Sequence, residues 1–250
     1  MKLILFDIDG ILIQPTAVKV DYWKTIIKKH FGLEVEKKEV YRSGKTDREI
    51  LIEFLQQKGI NEPEKDERFL PALSDIGNII SEAIKDIKLE KVPNVEKLVK
   101  RLSKEKQMIG LLTGNTQEKA EVKLKNANLW KYFKIGAFGD KTKERSELVK
   151  IALNEAKEKT GIQFKKEDTY IIGDSIRDIQ CAKKGGVNSI AIATGPESIE
   201  DLKKEKPNYI FKDFSNTEKI MSVLKWNTHQ KLQNRVLWTP CANPRGRIYA

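Results

Sequence analysis

Residues 1–10, MKLILFDIDG, decide how the rest of the chain is read. Residues 2–6 (KLILF) form a short aliphatic run that breaks off at Asp7, Asp9 and Gly10. A strand buried on both faces ends this way when it runs into a functional loop. Alternation along an extended segment puts Asp7 and Asp9 on the same side, where one carboxylate can attack while the other moves a proton. Two charges directly after a buried run are costly to desolvate unless a partner or a metal meets them. That separates this pair from the acids of an ordinary surface turn. The stretch is also too short and too acidic for a secretory signal.

Similar apolar runs recur at 107–112 (QMIGLL), 169–172 (TYII), 188–192 (NSIAI) and 208–211 (NYIF). Helix-like stretches near 116–127, 145–160, 176–185 and 197–204 alternate with them. This order predicts an α/β fold with a doubly wound parallel-sheet core, whose ligands bind at the carboxyl ends of the strands. The segment 14–90 interrupts the alternation. Tyr22, Trp23, Ile26, Ile27 and Phe31 have helical spacing, as do Ile50, Leu51, Phe54 and Leu55. The expected division is a discontinuous core over 1–13 and 91–224, a smaller all-helical cap domain over 14–90, and a basic, poorly ordered tail over 225–250. The ends of the insert lie beside the Asp7 loop, where a lid would cover the site.

Across its 250 residues the chain is 39% hydrophobic and 33% charged, the balance of a globular enzyme with a sizeable core. No apolar run approaches the roughly 20 residues that span a bilayer, so a membrane protein is not expected. The two cysteines, Cys181 and Cys241, form neither a disulfide framework nor a metal-ligand spacing, which points to a reducing cytoplasm. The formal charge of +11 raises the question of nucleic acid. Its distribution argues against that partner: Lys225, Lys231, Arg235, Arg245 and Arg247 belong to the tail, and the remainder is spread over helical faces interleaved with glutamates. A basic surface of this kind attracts small anions.

Three further motifs follow apolar runs. In Leu111-Leu112-Thr113-Gly114-Asn115, a hydroxyl and exposed amides ahead of a helix start can bind a phosphate oxygen, although Thr113 and Asn115 would serve equally as caps. In Gly173-Asp174-Ser175-Ile176-Arg177-Asp178, Asp174 and Asp178 offer hard oxygen ligands of the type magnesium takes. Between them lies Gly139-Asp140-Lys141-Thr142-Lys143-Glu144-Arg145-Ser146, where Lys141, Lys143 and Arg145 compete to supply a cation that would balance Asp7 and a phosphoryl group.

Acids, hydroxyl, cation and acids in this order resemble the haloacid dehalogenase (HAD) superfamily, in particular its phosphoglycolate-phosphatase-like members with a helical cap after the first motif. The resemblance covers residues 1–215. It implies a Rossmann-like core and a magnesium-dependent phosphatase acting on a small-molecule phosphate ester through an aspartyl-phosphate. By resemblance, Asp7 is the nucleophile and a metal ligand, and Asp9 the general acid/base whose carbonyl also meets the metal. Thr113, with Gly114 and Asn115, binds the phosphoryl group; Asp174 is the third metal ligand, supported by Asp178. Arg145 corresponds to the third-motif cation. Ser43-Gly44-Lys45-Thr46-Asp47-Arg48 is similar to the stretch such proteins place over the site, so Lys45, Thr46 and Arg48 are candidate substrate-binding residues. Asp9 and Asp174 argue against a dehalogenase. A phosphosugar mutase shares the metal, both aspartates and the cap, and a non-catalytic binding domain would be marked by loss of a motif acid. The expected assembly is a monomer or homodimer.

Overall fold

The computed structural model describes residues 1–14, 21–36, 40, 42–105 and 107–225. The tail expectation falls outside these residues except at Lys225.

Strand β1 (Leu3–Phe6) is buried throughout, and its side chains alternate between two cores. Ile4 and Phe6 enter the larger cluster, Leu3 and Leu5 the smaller. A strand covered on both faces has no room for a polar position, which explains the unbroken aliphatic run. Its neighbours are β2 (Met108–Leu112) and β4 (Thr169–Gly173), both parallel, in the registers Leu3↔Met108 and Leu3↔Thr169. With β3 (Ile135–Ala137), β5 (Asn188–Ile192) and β6 (Tyr209–Phe211), the sheet has the order β3-β2-β1-β4-β5-β6, all parallel. The order reverses between β1 and β4, and in such sheets the crevice beyond the strand ends at the reversal receives ligands. The doubly wound architecture read from the sequence is the one observed. β3 was not anticipated, because three residues with a central glycine carry too little aliphatic signal.

Helices α4 (Val95–Lys104), α5 (Gln117–Asn126), α6 (Leu148–Thr160), α7 (Ile176–Gly185), α8 (Ile199–Lys204) and α9 (Thr217–Lys225) flank the sheet. Between β1 and α4 come α1 (Tyr22–Phe31), α2 (Asp47–Gln57) and α3 (Phe69–Ile84), each with an apolar stripe at helical spacing. α3 packs on α1 and on α5, so Trp23, Phe54, Phe69 and Ile76 share one continuous apolar cluster with the sheet. The two chain passages into and out of this segment run side by side: Gln14 donates to the Glu90 carbonyl at 2.9 Å, and Ile13 bridges antiparallel to Lys91. No helix among the described residues is long and apolar enough to cross a membrane.

Candidate active site

Three adjacent strand ends and one helix start converge at the reversal point. Asp7 follows β1 directly, with its amide donating to the Ile172 carbonyl at 3.0 Å, so the β1–β4 ladder fixes its backbone. Its carboxylate is buried and lies 3.0 Å from Nη2 of Arg145, which also donates to Oδ1 of Asp178 at 2.6 Å. Arg145 stands in a single 3-10 turn ahead of α6, is itself buried, and donates through Nη1 to the Gly44 carbonyl of the helical segment at 3.2 Å. Burial alone would lower its guanidinium, but Asp178 and Asp7 more than offset this and hold it charged. Lys141 and Lys143 are exposed, and Lys141 pairs with Asp140. Of the three candidate cations, Arg145 is the one at the site.

Burial pushes the Asp7 carboxyl up to about 6; Arg145 and a hydrogen bond from Thr113 oppose it, while Asp178 and Asp9 reinforce it. Asp174, one residue beyond β4, is raised well above the carboxylate range by burial and by the negative charges of Asp178, Asp7 and Glu197. Oxygens of Asp7, Asp174 and Asp178 lie within 4.8 Å of one another. Buried like charges this close call for a cation beyond Arg145, and an all-oxygen donor set suits a hard divalent ion such as magnesium. Gly10 accommodates the approach: its φ of 80° and a virtual Cβ only 2.2 Å from Asp174 Oδ2 leave room for no side chain. The residues present therefore fit a divalent metal. Asp178 is engaged at both oxygens, Oδ1 by Arg145 and Oδ2 by the Ser175 amide and hydroxyl at 3.1 and 2.7 Å, in a capping box that starts α7.

Asp9 stands outside that trio. Its side chain is 42% exposed toward the cleft and is held by Lys123 at Oδ1 and by Asn115 Nδ2, 3.0 Å away, at Oδ2. Burial would raise this carboxyl, but Lys123 and Lys119 outweigh it and hold it at about 2. Lys123 is shifted down rather than up: it lies deeper than its partner, so desolvation dominates, and Lys119 adds repulsion. Asn115 also donates to Thr113 Oγ1 at 2.8 Å, which leaves the buried threonine hydroxyl free to donate toward Asp7.

The cleft, about 270 Å³, is lined by Asp7, Asp9, Gly114, Asn115, Arg145 and Asp174 from the sheet side and by Tyr22, Arg42, Ser43 and Lys45 from the helical segment. Lys45 reaches it with its ammonium paired to Glu53. Thr46 and Arg48 do not line it: Thr46 caps α2 by accepting from the Glu49 amide, and Arg48 donates to the Asp140 carbonyl and pairs with Glu64. These two dock the segment on the strand-end loops, assisted by Asp47, whose amide donates to the Gly114 carbonyl at 2.7 Å. Gly114 is in turn required there, since a Cβ would lie 2.0 Å from the Lys45 carbonyl oxygen.

Sequence reasoning missed Lys119 and Lys123. Lys119 Nζ donates to Asp47 Oδ1 at 2.8 Å and to the Tyr22 hydroxyl at 2.7 Å, so one lysine of α5 grips both α1 and α2. Burial would lower its ammonium; Asp47, Tyr22 and Asp9 overcome that and hold it above the ordinary range. The signal was their four-residue spacing, with each lysine next to a buried apolar position, Ala120 and Leu124.

Compared with known proteins, residues 4–192 match the family described as haloacid dehalogenase-like hydrolase. A relative from Caldanaerobacter subterraneus subsp. tengcongensis, provisionally named pyrophosphatase PpaX, is 25% identical over 229 residues, 91% of this chain and 98% of that protein. Among solved structures, a β-phosphoglucomutase from Clostridium difficile superposes with a TM-score of 0.67 at 18% identity, covering 89% of this chain and 96% of the other. A predicted phosphoglycolate phosphatase from Haemophilus somnus gives 0.63 at 19% identity, covering 88% and 98%. At these identities the two structures speak for the fold alone.

Proposed function

Because the chain belongs to the haloacid dehalogenase-like hydrolases, we propose that it is a magnesium-dependent phosphatase that cleaves a small phosphate monoester through an aspartyl-phosphate on Asp7. One observation carries this reading: at the sheet's reversal point, Asp7 is surrounded by Arg145, Asp174 and Thr113, delivered by separate loops to one buried spot. A carboxylate so placed has a cation to balance the charge it acquires, a hydroxyl donor beside it, and a second acid with which to share a metal.

In this reading Asp7 and Asp174 would hold the metal through their carboxylates, with Asp9 expected by family likeness to add its backbone carbonyl. Asp178 acts by fixing Arg145, since both of its oxygens are occupied. A bound divalent ion supplies Lewis-acid neutralisation of phosphoryl oxygens. Asp7 attacks phosphorus in line with the departing ester oxygen while Arg145 and Thr113 stabilise the transferring group. Asp9 gives its proton to the leaving oxygen, then takes one from the water that attacks the aspartyl-phosphate, and so ends each cycle as it began. In the empty site it is a carboxylate; the negative phosphoryl group entering the cleft raises its proton affinity by like-charge repulsion, so it takes up a proton from solvent with the substrate and returns it when phosphate leaves. The helical segment 14–90 serves as the cap, and its docking through Gly44, Lys45 and Asp47 keeps bulk water from the intermediate.

The test is inorganic phosphate release from a panel of monoesters, including phosphoglycolate, with magnesium or chelator, for wild type and Asp7→Asn. Metal-dependent release that falls by about a thousandfold or more in Asp7→Asn is expected. Undiminished release from Asp7→Asn would overturn the nucleophile. Isomerisation that depends on a bisphosphate activator, without phosphate release, would replace phosphatase by mutase.

A further inference from the structure

We propose that Lys123 is a positioning residue that fixes the Asp9 carboxylate for proton transfer, an inference that rests on Asp9 being the acid–base of the reaction above. Lys123 does not line the active-site cleft. It lies behind Asp9 on α5, its side chain 4% exposed, and reaches forward to Asp9 Oδ1. The same ammonium donates to Asn115 Oδ1 at 3.3 Å, which turns the amide nitrogen of Asn115 onto Asp9 Oδ2 at 3.0 Å. Each oxygen of Asp9 is thus held by a different donor, and the two donors hold each other. A carboxylate on a loop has two free torsions; gripped at one oxygen it swings, and gripped at both it presents a fixed edge to the cleft. Proton transfer depends on that edge, because the acid must lie within hydrogen-bond reach of the leaving oxygen.

Stability does not account for this lysine. Its ammonium is desolvated while its partner is half open to water, the arrangement in which the desolvation penalty most readily exceeds the attraction. A methionine would fill the same volume between α5 and the Asp9 loop without that penalty. The charge therefore serves the carboxylate. Lys123 itself moves no proton. In the first step the Asp9 O–H bond breaks and its proton goes to the ester oxygen, as the ester P–O bond breaks and the Asp7–phosphorus bond forms. In the second, water gives a proton to Asp9 as its oxygen bonds phosphorus and the Asp7–phosphorus bond breaks. The sum is ester plus water to alcohol plus phosphate.

The experiment measures kcat/KM for an alkyl phosphate and for p-nitrophenyl phosphate, together with thermal melting, in wild type, Lys123→Met, Lys123→Arg and Asp9→Asn. kcat/KM is chosen because it reports the step in which the leaving group departs. Lys123→Met is expected to melt at or above the wild-type temperature, yet to lose about tenfold or more on the alkyl ester and much less on p-nitrophenyl phosphate, whose leaving group needs no proton. The alkyl loss falls on kcat rather than KM, and Lys123→Arg recovers part of it. An equal loss on both esters, no loss, or a loss accompanied by a lower melting temperature would overturn the proposal. Asp9→Asn separates the layers. If it shows no leaving-group dependence, the acid–base reading of Asp9 falls and this inference with it; if it shows the dependence and Lys123→Met does not, the inference alone falls.

Discussion

Asp7 and Asp9 are two residues apart, yet the fold gives them opposite proton affinities. Asp7 sits where desolvation exceeds the help it receives from Arg145, and Asp9 sits against two ammonium groups. Without metal, Asp7 is raised to about 6, so the folded state favours its neutral form. The stability this contributes is complete below the ordinary carboxylate value of 3.8 and is lost as pH rises through about 6. Asp9, depressed to about 2, contributes in the other sense: its stabilisation is present above the ordinary value and is lost as pH falls through about 2. A divalent ion needs Asp7 ionised and so competes with the proton. Magnesium affinity measured by calorimetry is expected to climb as pH rises from about 5 to about 7, by up to about tenfold per pH unit for each of Asp7 and Asp174 that must give up a proton, both being raised. A flat profile over that range would show that Asp7 does not hold the ion. Asp7, Asp9 and Asp174 were legible in the sequence because buried acids after aliphatic runs have few structural explanations. Lys119 and Lys123 were not, because a helix lysine is solvated by default and only tertiary partners distant in the chain, Tyr22 and Asp47 for Lys119 and Asp9 for Lys123, take these two out of water.

At the scale of elements, α2 begins where the strand-end loops hold it. Thr46 caps it, the Asp47 amide meets the Gly114 carbonyl, and the buried Asp47 carboxylate takes both the Thr116 amide at 2.8 Å and Lys119. Removing one partner of a fully buried pair leaves the other uncompensated, so Asp47→Ala is expected to cost about 3 kcal/mol. The double variant Asp47→Ala with Lys119→Met should recover most of that loss, because no unpaired charge remains. Denaturant titrations of Asp47→Ala, Lys119→Met and the double variant check this; strictly additive losses would mean that the pair does not couple α2 to α5. The helical spacing of Tyr22 to Phe31 and of Ile50 to Leu55 marked α1 and α2 correctly, since an apolar stripe is a local property. Thr46 and Arg48 show the limit of local reading. A glycine, a hydroxyl and cations ahead of a helix suit anion binding and helix docking alike, and here the threonine is spent on the cap and the arginine on the Asp140 carbonyl.

Across the whole molecule, the strand order β3-β2-β1-β4-β5-β6 brings motifs about 170 residues apart in the chain onto neighbouring strand ends. The parallel, doubly wound class followed from the alternation of apolar runs and helical stretches that such a sheet imposes on its own sequence, whereas the strand order and β3 came only with the structure. A position for the helical segment near the strand ends was expected from where it joins the Asp7 loop; the contacts that seat it were not, because glycine approaches such as Gly114 against the Lys45 carbonyl leave no periodic trace. The account stands or falls on covalent phosphoryl transfer to Asp7. The direct measurement is acid quenching of the enzyme during turnover with magnesium and a cleavable monoester, followed by mass mapping of its peptides. A phosphoryl group on the peptide holding Asp7, absent from Asp7→Asn and absent when magnesium is chelated, is the predicted result. Steady phosphate release with no phosphoryl group on that peptide, undiminished in Asp7→Asn, would contradict it.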